Sequence, residues 1–255
     1  WPNLRFDLGA INSALSPLFP AGFYYKTFMG GFGWNVYSRI IRQMAGLGRA
    51  PRTTPEHTYE NRQHHCDLLV VGAGPAGLCA AKAAALAGLD VLLVDEGEYP
   101  GGQLGFEPVQ IDSGDASGWV KSITDELDAL PNVTRLAATS ATGYYDQNFI
   151  TLLERRPAQS WVYERVWKVR AGQVLLACGA LERPLVFPNN DRPGVMLLHA
   201  CAQYAKVYGV MPGRRAVIMT NNSSAYAMAD ELVRLGLDVA AVVDVRAVAQ
   251  PMDTS

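Results

Sequence analysis

Cysteine is scarce in this chain. There are four, Cys66, Cys79, Cys178 and Cys201, and no two stand in a C-x-x-C or in any metal-ligand spacing. That argues against a disulfide framework, a zinc ribbon and a dithiol relay of the thioredoxin-reductase kind, and makes a reducing, cytoplasmic setting the expected one. No metal site is expected. An excess of one charge is lacking too: 22 Lys and Arg stand against 24 Asp and Glu. A net charge of −2 offers no basic surface for nucleic acid or membrane. No apolar run approaches the roughly 18 residues needed to span a bilayer, and no secretory h-region is present. An initial methionine is missing as well. The chain starts at Trp1 and stops in "AVAQPMDTS". Neither end reads as a natural terminus, which predicts a piece of a longer polypeptide.

What is there fits a soluble globular protein: 255 residues, 49% hydrophobic and 18% charged. That length allows one large or two modest domains. Residues 1–66 lack βα alternation and read as an aromatic wrapping segment and linker. "FPAGFYYKTFMGGFGW" is aromatic and glycine-rich, and Val36, Ile40, Ile41, Met44 and Leu47 then recur at helical spacing until Gly46, Gly48 and Pro51 stop the helix. Such a run packs on the domain behind it or forms a subunit interface. "RAPRTTPEHTYENRQHH" is polar, carries two prolines and reads as a connector.

From Asp67 the pattern changes to strand, glycine turn, helix, strand. Leu68–Val71 and Val91–Val94 are short apolar runs fit for buried parallel strands. The alanine-rich stretch between them makes a small-faced helix that ends at Gly88. Trp119, Ile123, Leu127 and Leu130 mark one face of a helix ended by Pro131. "NFITLLER" and "WVYERVWKV" predict an antiparallel meander, and "QVLLACGA" a return to a buried strand. A second βαβ unit is predicted over "RRAVIMTNNSSAYAMADELVRLGLDVAAVVD". The expected fold is α/β: a Rossmann-like FAD/NAD(P)-binding fold with a parallel sheet and an inserted β meander. Residues 67–180 form its first dinucleotide-binding unit. Residues 181–255 form a second, degenerate unit, truncated and incomplete.

The turn Gly72-x-Gly74-x-x-Gly77 stands where a dinucleotide fingerprint belongs, after a buried strand and before a helix. Gly72 permits the tight turn, Gly74 lets backbone approach a pyrophosphate, and Gly77 lets the helix press on the sheet. Pro75 suits the first helical turn, whose free amides and dipole face the phosphates. Asp95 or Glu96 closes the next strand and can accept hydrogen bonds from an adenosine ribose. A carboxylate there repels a 2′-phosphate, which favours NAD or FAD over NADP. The alternative is a glycine turn that holds nothing. "GEYPGGQL" then brings Gly101, Gly102 and Gln103 past the cofactor or forms a surface turn. In the second unit Thr220-Asn221-Asn222-Ser223-Ser224-Ala225 replaces the glycine motif, which predicts a fold kept and a second dinucleotide site weakened or lost.

No catalytic set is evident. His57, His64 and His65 read as solvated loop residues, and His199 as a core or interface residue. Cys178 reads as a small apolar side chain ending a buried strand. Asp125, Glu126 and Asp128 fall on the solvent side of their helix.

Four stretches together resemble the α subunit of heterotetrameric sarcosine oxidase: "LRFDLGAINSALSPLFPAGFYYKTFM", "CDLLVVGAGPAGLCAA", "LACGALERPLVFPNNDRPGVML" and "AVIMTNNSSAYAMADEL". The resemblance implies NAD held at Gly72, Gly74, Ala76 and Gly77, with Asp95 and Glu96 at the ribose. It adds Gln103 in the G-G-x-L segment and a backbone contact near Ala141 under the adenine. Gly97 stands where an arginine would stack on adenine, and Gln103 where a small hydroxyl residue is expected. The resemblance further implies β, γ and δ partner subunits, FAD on the β subunit, and FMN at the α/β interface. Tetrahydrofolate would bind a C-terminal part beyond Ser255. The implied reaction is oxidative demethylation of sarcosine to glycine, with hydrogen peroxide and formaldehyde or 5,10-methylenetetrahydrofolate. No sarcosine-oxidising residue is expected in this chain. Two other readings stand beside it: an FAD-dependent amine, opine, proline or cyanide-forming dehydrogenase with FAD in the first site, and a non-catalytic assembly scaffold.

Overall fold

The computed structural model describes residues 6–18, 33–46, 58–111, 114–157 and 160–246, with the single positions 22, 48 and 52. The chain divides into two units, Trp1–Glu56 and His57–Ser255. Among its described residues the first unit has α1 (Ala10–Ala14), a 3-10 turn at Ser16–Leu18 and α2 (Trp34–Met44), and Gly46 at φ 70° follows the end of α2. Leu47, Pro51 and His57, and nearly all of the aromatic run, lie outside the described residues.

The second unit is built on a six-stranded sheet in the order β5-β2-β1-β8-β7-β6. Its strands are β1 (Thr58–Val71), β2 (Val91–Val94), β5 (Val133–Leu136), β6 (Thr139–Tyr145), β7 (Phe149–Arg155) and β8 (Val162–Leu176). A two-residue ladder, β3 (Gln110–Ile111) with β4 (Gly114–Asp115), lies between β2 and β5 in the chain. β5, β2, β1 and β8 are parallel, and β8, β7 and β6 form the antiparallel meander. The fold is thus mixed α/β with a mostly parallel centre. The sheet curls far enough that Thr139, at the start of β6, donates its N–H to the carbonyl of Asp95 just past β2 (2.7 Å).

Helices α3 (Pro75–Leu86) and α4 (Ala116–Asp128) cover one face. There Leu78, Ala81, Ala85, Ile123 and Leu127 pack on Val70, Val91 and Leu93. Alanine on α3 brings helix and sheet close, while each fully buried leucine contributes about 1.5–3 kcal/mol. Asp125, Glu126 and Asp128 face solvent. The other face buries Leu69, Leu92, Val94, Ile150, Leu152, Trp167 and Val169.

β1 departs from the sequence reading. It begins at Thr58, so 58–65 is strand, paired along β8 from Val162 to Arg170, rather than connector. The face it shares with buried Cys66 carries half-buried Glu60 and His64 and exposed Arg62 instead of apolar side chains. Glu60 accepts from Arg62 Nε (2.8 Å) and Arg165 Nε (2.7 Å). Glu154, 5% exposed, accepts from Arg156, Arg165 and Trp167. Burial alone would raise the Glu154 carboxyl, but these donors outweigh it and hold the group below its ordinary value. His64 is a half-buried strand residue set edge-on to Trp167 at 6.0 Å, not a solvated loop histidine. His65 is exposed on the same strand.

The end of β8 is a second departure. Leu175 and Leu176 are exposed, as is Cys178 beyond them. There β8 pairs only with β1, because β7 stops pairing at Arg170, which leaves that edge without a strand among the described residues.

The second βαβ part consists of β9 (Arg215–Thr220), α6 (Ser224–Arg234) and β10 (Asp238–Asp244), with the two strands parallel. Helix α5 (Leu198–Lys206) and α6 pack on Phe106, which follows the G-G-x-L segment. His199 sits on α5 with its ring 5.8 Å from Phe106 and Nε2 3.5 Å from Glu107 Oε1.

Candidate functional site

The C-terminal ends of β1, β2 and β8 meet at the glycine turn. Gly72 leaves β1 at φ 107°, and a Cβ there would lie 2.3 Å from the carbonyl oxygen of Ala177. A Cβ on Gly77 would lie 1.8 Å from the carbonyl oxygen of Gly72, so these two glycines serve packing. Gly74 differs. It is extended (φ −72°, ψ −178°), and nothing in the protein lies within 4 Å of the position its Cβ would take. The bare side of Gly74 therefore opens away from the protein.

Helix α3 begins immediately after it, with Pro75 at its start and no side-chain cap. The first intrahelical amide is Leu78 N–H to Gly74 C=O. The N–H groups of Ala76 and Gly77 are thus left without helical acceptors, at the positive end of the dipole. An uncapped amide cradle beside an empty Cβ position fits the phosphates of a nucleotide.

Asp95 faces this cradle and Glu96 does not. One Asp95 oxygen accepts the Ala73 N–H (2.5 Å) and the other the Gly97 N–H (2.7 Å). Its backbone is tied to β5 and β6 through Leu136 and Thr139, and Gly97 C=O accepts from Ala138 N–H (2.8 Å). Each carboxylate oxygen has two lone pairs, so two remain for a vicinal diol. Glu96 is exposed and has no polar partner among the described residues.

The G-G-x-L segment lies against the turn. Gly101 donates to Ala73 C=O (2.8 Å), and the Cβ position of Gly102 is 3.3 Å from Gly74 Cα. Gln103 Nε2 donates to Ala180 C=O (3.1 Å), joining this segment to the chain beyond β8. Gly72, Gly74, Ala76, Gly77, Asp95 and Gln103 therefore gather around one crevice, where strand order switches from β2 to β8 on either side of β1. Ala141 is exposed on the edge strand β6, two residues beyond Thr139. The residues that sequence reasoning did not single out are Ala73, Ala138 and Thr139, which act through backbone groups. No sequence signal marks them; Ala138 stands out only in the structure, with a φ of 48° unusual for alanine.

Comparison with known proteins agrees with this fold. Residues 67–176 match the FAD-dependent oxidoreductase family. The chain is 48% identical over 96% of its length to the α subunit of sarcosine oxidase from Rhizobium meliloti, and it spans 26% of that protein. It is 31% identical over 70% of its length to an opine oxidase subunit of Agrobacterium tumefaciens, of which it spans 36%. Among solved structures, the L-proline dehydrogenase of P. horikoshii superposes with a TM-score of 0.61 at 26% identity, covering 76% of this chain and 39% of that one.

Proposed function

We propose, from its homology to the sarcosine oxidase α subunit, that this chain is the nucleotide-holding part of a multisubunit sarcosine oxidase. The ligand we assign to its first turn is NAD. The amides of Ala76 and Gly77 would meet the pyrophosphate over the bare side of Gly74. Asp95 would take the ribose hydroxyls, with Glu96 adding negative charge against a 2′-phosphate. Gln103 would wall the crevice, and the β6 backbone near Ala141 would lie under the adenine. The observation that carries this reading is the uncapped α3 terminus beside the vacant Cβ position of Gly74, with Asp95 already oriented by two amides.

NAD bound here supplies a hydride acceptor, but we assign it a structural role. The oxidation of sarcosine to glycine, with peroxide and formaldehyde or methylenetetrahydrofolate, is assigned to FAD and FMN on or against a partner subunit. Folate binding is assigned to the remainder of the polypeptide. Nucleotide released by denaturing the purified complex tests the assignment. NAD from this subunit, with no NADH absorbance developing during sarcosine turnover, is expected; FAD in its place would refute it.

The family match of residues 67–176 favours a second reading, FAD in the same crevice. In that case the isolated polypeptide would show a flavin spectrum bleached by an amine substrate without any partner.

A further inference from the structure

The molecule carries its βαβ unit twice, and the two poles differ in one instructive respect. Both helices stop at a left-handed glycine, Gly88 at φ 88° and Gly236 at φ 100°. At the end of each second strand stands an aspartate, Asp95 just past β2 and Asp244 closing β10, whose carboxylate accepts the N–H two residues on. For Asp95 this is Gly97 N–H at 2.7 Å, and for Asp244 it is Arg246 N–H at 3.0 Å. The stretch from glycine to aspartate is one residue longer in the second unit (Gly236 to Asp244 against Gly88 to Asp95), an excess absorbed by the irregularity between Val239 and Ala241. Asp244 is therefore the structural counterpart of Asp95.

At the second pole the carboxylate and the first helix amide, the counterparts of groups that face a ligand at the first, are already engaged. The Asn222 side-chain oxygen accepts from the first amide of α6, Ser224 N–H (3.1 Å), and from the Ser224 hydroxyl (2.6 Å). Asn222 is itself fixed by Thr220 Oγ1, which accepts its N–H and donates to its C=O. Asp244 Oδ1 accepts from Arg246 N and Nε. Its Oδ2 accepts from Arg246 Nη2 (2.6 Å), Arg246 Nε and the Tyr226 hydroxyl (3.0 Å). Both oxygens thus have at least two donors and no lone pair left for a ribose. Arg246 Nη1 reaches across the turn to Ser223 Oγ (3.1 Å). The Asp244 side chain is 7% exposed.

We propose that the second pole is a self-filled copy of the first, with Asn222 at the helix amide and Arg246 on the carboxylate taking the places of phosphate and ribose. The chain then holds one nucleotide, on its first turn alone. The count of one rests on the reading of that turn given above; the filling of the second pole does not. The missing glycines thus remove a ligand, and the polar side chains that replace them supply the hydrogen bonds that ligand would have made.

Titration of the nucleotide-stripped full polypeptide with NAD⁺ and, separately, with ATP tests this. Wild type is expected to bind one equivalent of NAD⁺, and Asp95→Ala to weaken it at least tenfold with no second event. Two equivalents, or an ATP site that survives Asp95→Ala and disappears in Arg246→Ala, would overturn the proposal. Arg246→Ala is expected to lower the unfolding midpoint while leaving the NAD⁺ count at one. The milder Tyr226→Phe, which removes a single donor, is expected to do the same by less and covers the case in which the arginine variant does not fold. An unchanged midpoint in both would also overturn it. If wild type takes up no NAD⁺, the first-turn reading fails, and the second pole is judged on the midpoints and on the absence of ATP binding.

Discussion

Gly74 and Gly77 are three residues apart in one motif, and the structure assigns them opposite sensitivities. In Gly74→Ala the new methyl meets no protein atom within 4 Å, and φ −72° suits alanine. Folding therefore has nothing to lose, and reduced freedom of the unfolded chain adds about 0.4–1 kcal/mol of stability. On the proposed reading, the methyl would instead occupy the approach of the phosphates. If it displaces one charge-assisted hydrogen bond of about 1.5–3 kcal/mol, affinity falls roughly 10- to 200-fold. In Gly77→Ala the methyl starts 1.8 Å from the Gly72 carbonyl oxygen, which is backbone and cannot rotate away. Helix α3 must withdraw by more than 1 Å, roughly, to reach ordinary contact, and overpacking of this kind costs about 1–3 kcal/mol or more. Urea unfolding and calorimetric NAD⁺ titration on both variants give the two readouts. The expected pattern is Gly74→Ala stable and weak in binding, with Gly77→Ala unstable. Wild-type affinity in Gly74→Ala would refute the cradle, and a wild-type unfolding midpoint in Gly77→Ala would refute the close helix–turn contact.

Four further outcomes follow from the packing. Glu154→Ala strands the donors of Arg156, Arg165 and Trp167, and removing one partner of such a buried group costs about 3–5 kcal/mol, read by urea denaturation. Because the folded Glu154 carboxyl lies below its ordinary value, its contribution is complete above the unfolded value and fades as pH falls through the folded one; Glu154→Gln should flatten that part of the acid-stability profile. Asn132 Nδ2 donates to Ala85 C=O (2.9 Å) and Leu89 C=O (2.7 Å), tying down the end of α3, so Asn132→Ala should lose about 1–3 kcal/mol in the same denaturation assay. The Cys66 thiol is 8% exposed and pushed up to about 11 by burial and then by Asp90; alkylation followed by mass spectrometry should label exposed Cys79 and Cys178 first and Cys66 only on unfolding.

The parts of the fold legible in the sequence are those where burial follows residue type. Leu69, Leu92 and Leu93 are fully buried, and Ile123 and Leu127 face the core at helical spacing. The meander was legible for the same reason. The strand over 58–65 was not, because its alternation is written in charges. Glu60 is half-buried only because Arg165 arrives from β8 to meet it, 105 positions away, and no local pattern announces that partner. The exposed Leu175 and Leu176 show the converse: an apolar run reads as buried, but burial depends on what lies beyond the sheet edge. At the site, spacing together with the flanking strand and helix identified the glycine turn and the acidic pair. It could not separate Asp95 from Glu96, since the choice depends on which side chain turns toward the Ala73 amide.

The wall behind Gly72 comes from far down the chain. Ala177 N–H bonds the Val71 carbonyl at 2.7 Å, and the neighbouring Cys178 lies 107 positions from Val71. A ribosome that has delivered the glycine turn, α3 and β2 has therefore not yet delivered the backbone that closes the turn. The local pieces can collapse early, but the crevice waits on a pairing of high sequence separation, the slow kind. On the proposed assignment, nucleotide capture would thus be a late event in the life of the nascent chain. An arrest during synthesis of the meander would leave a fingerprint complete in sequence and without a nucleotide.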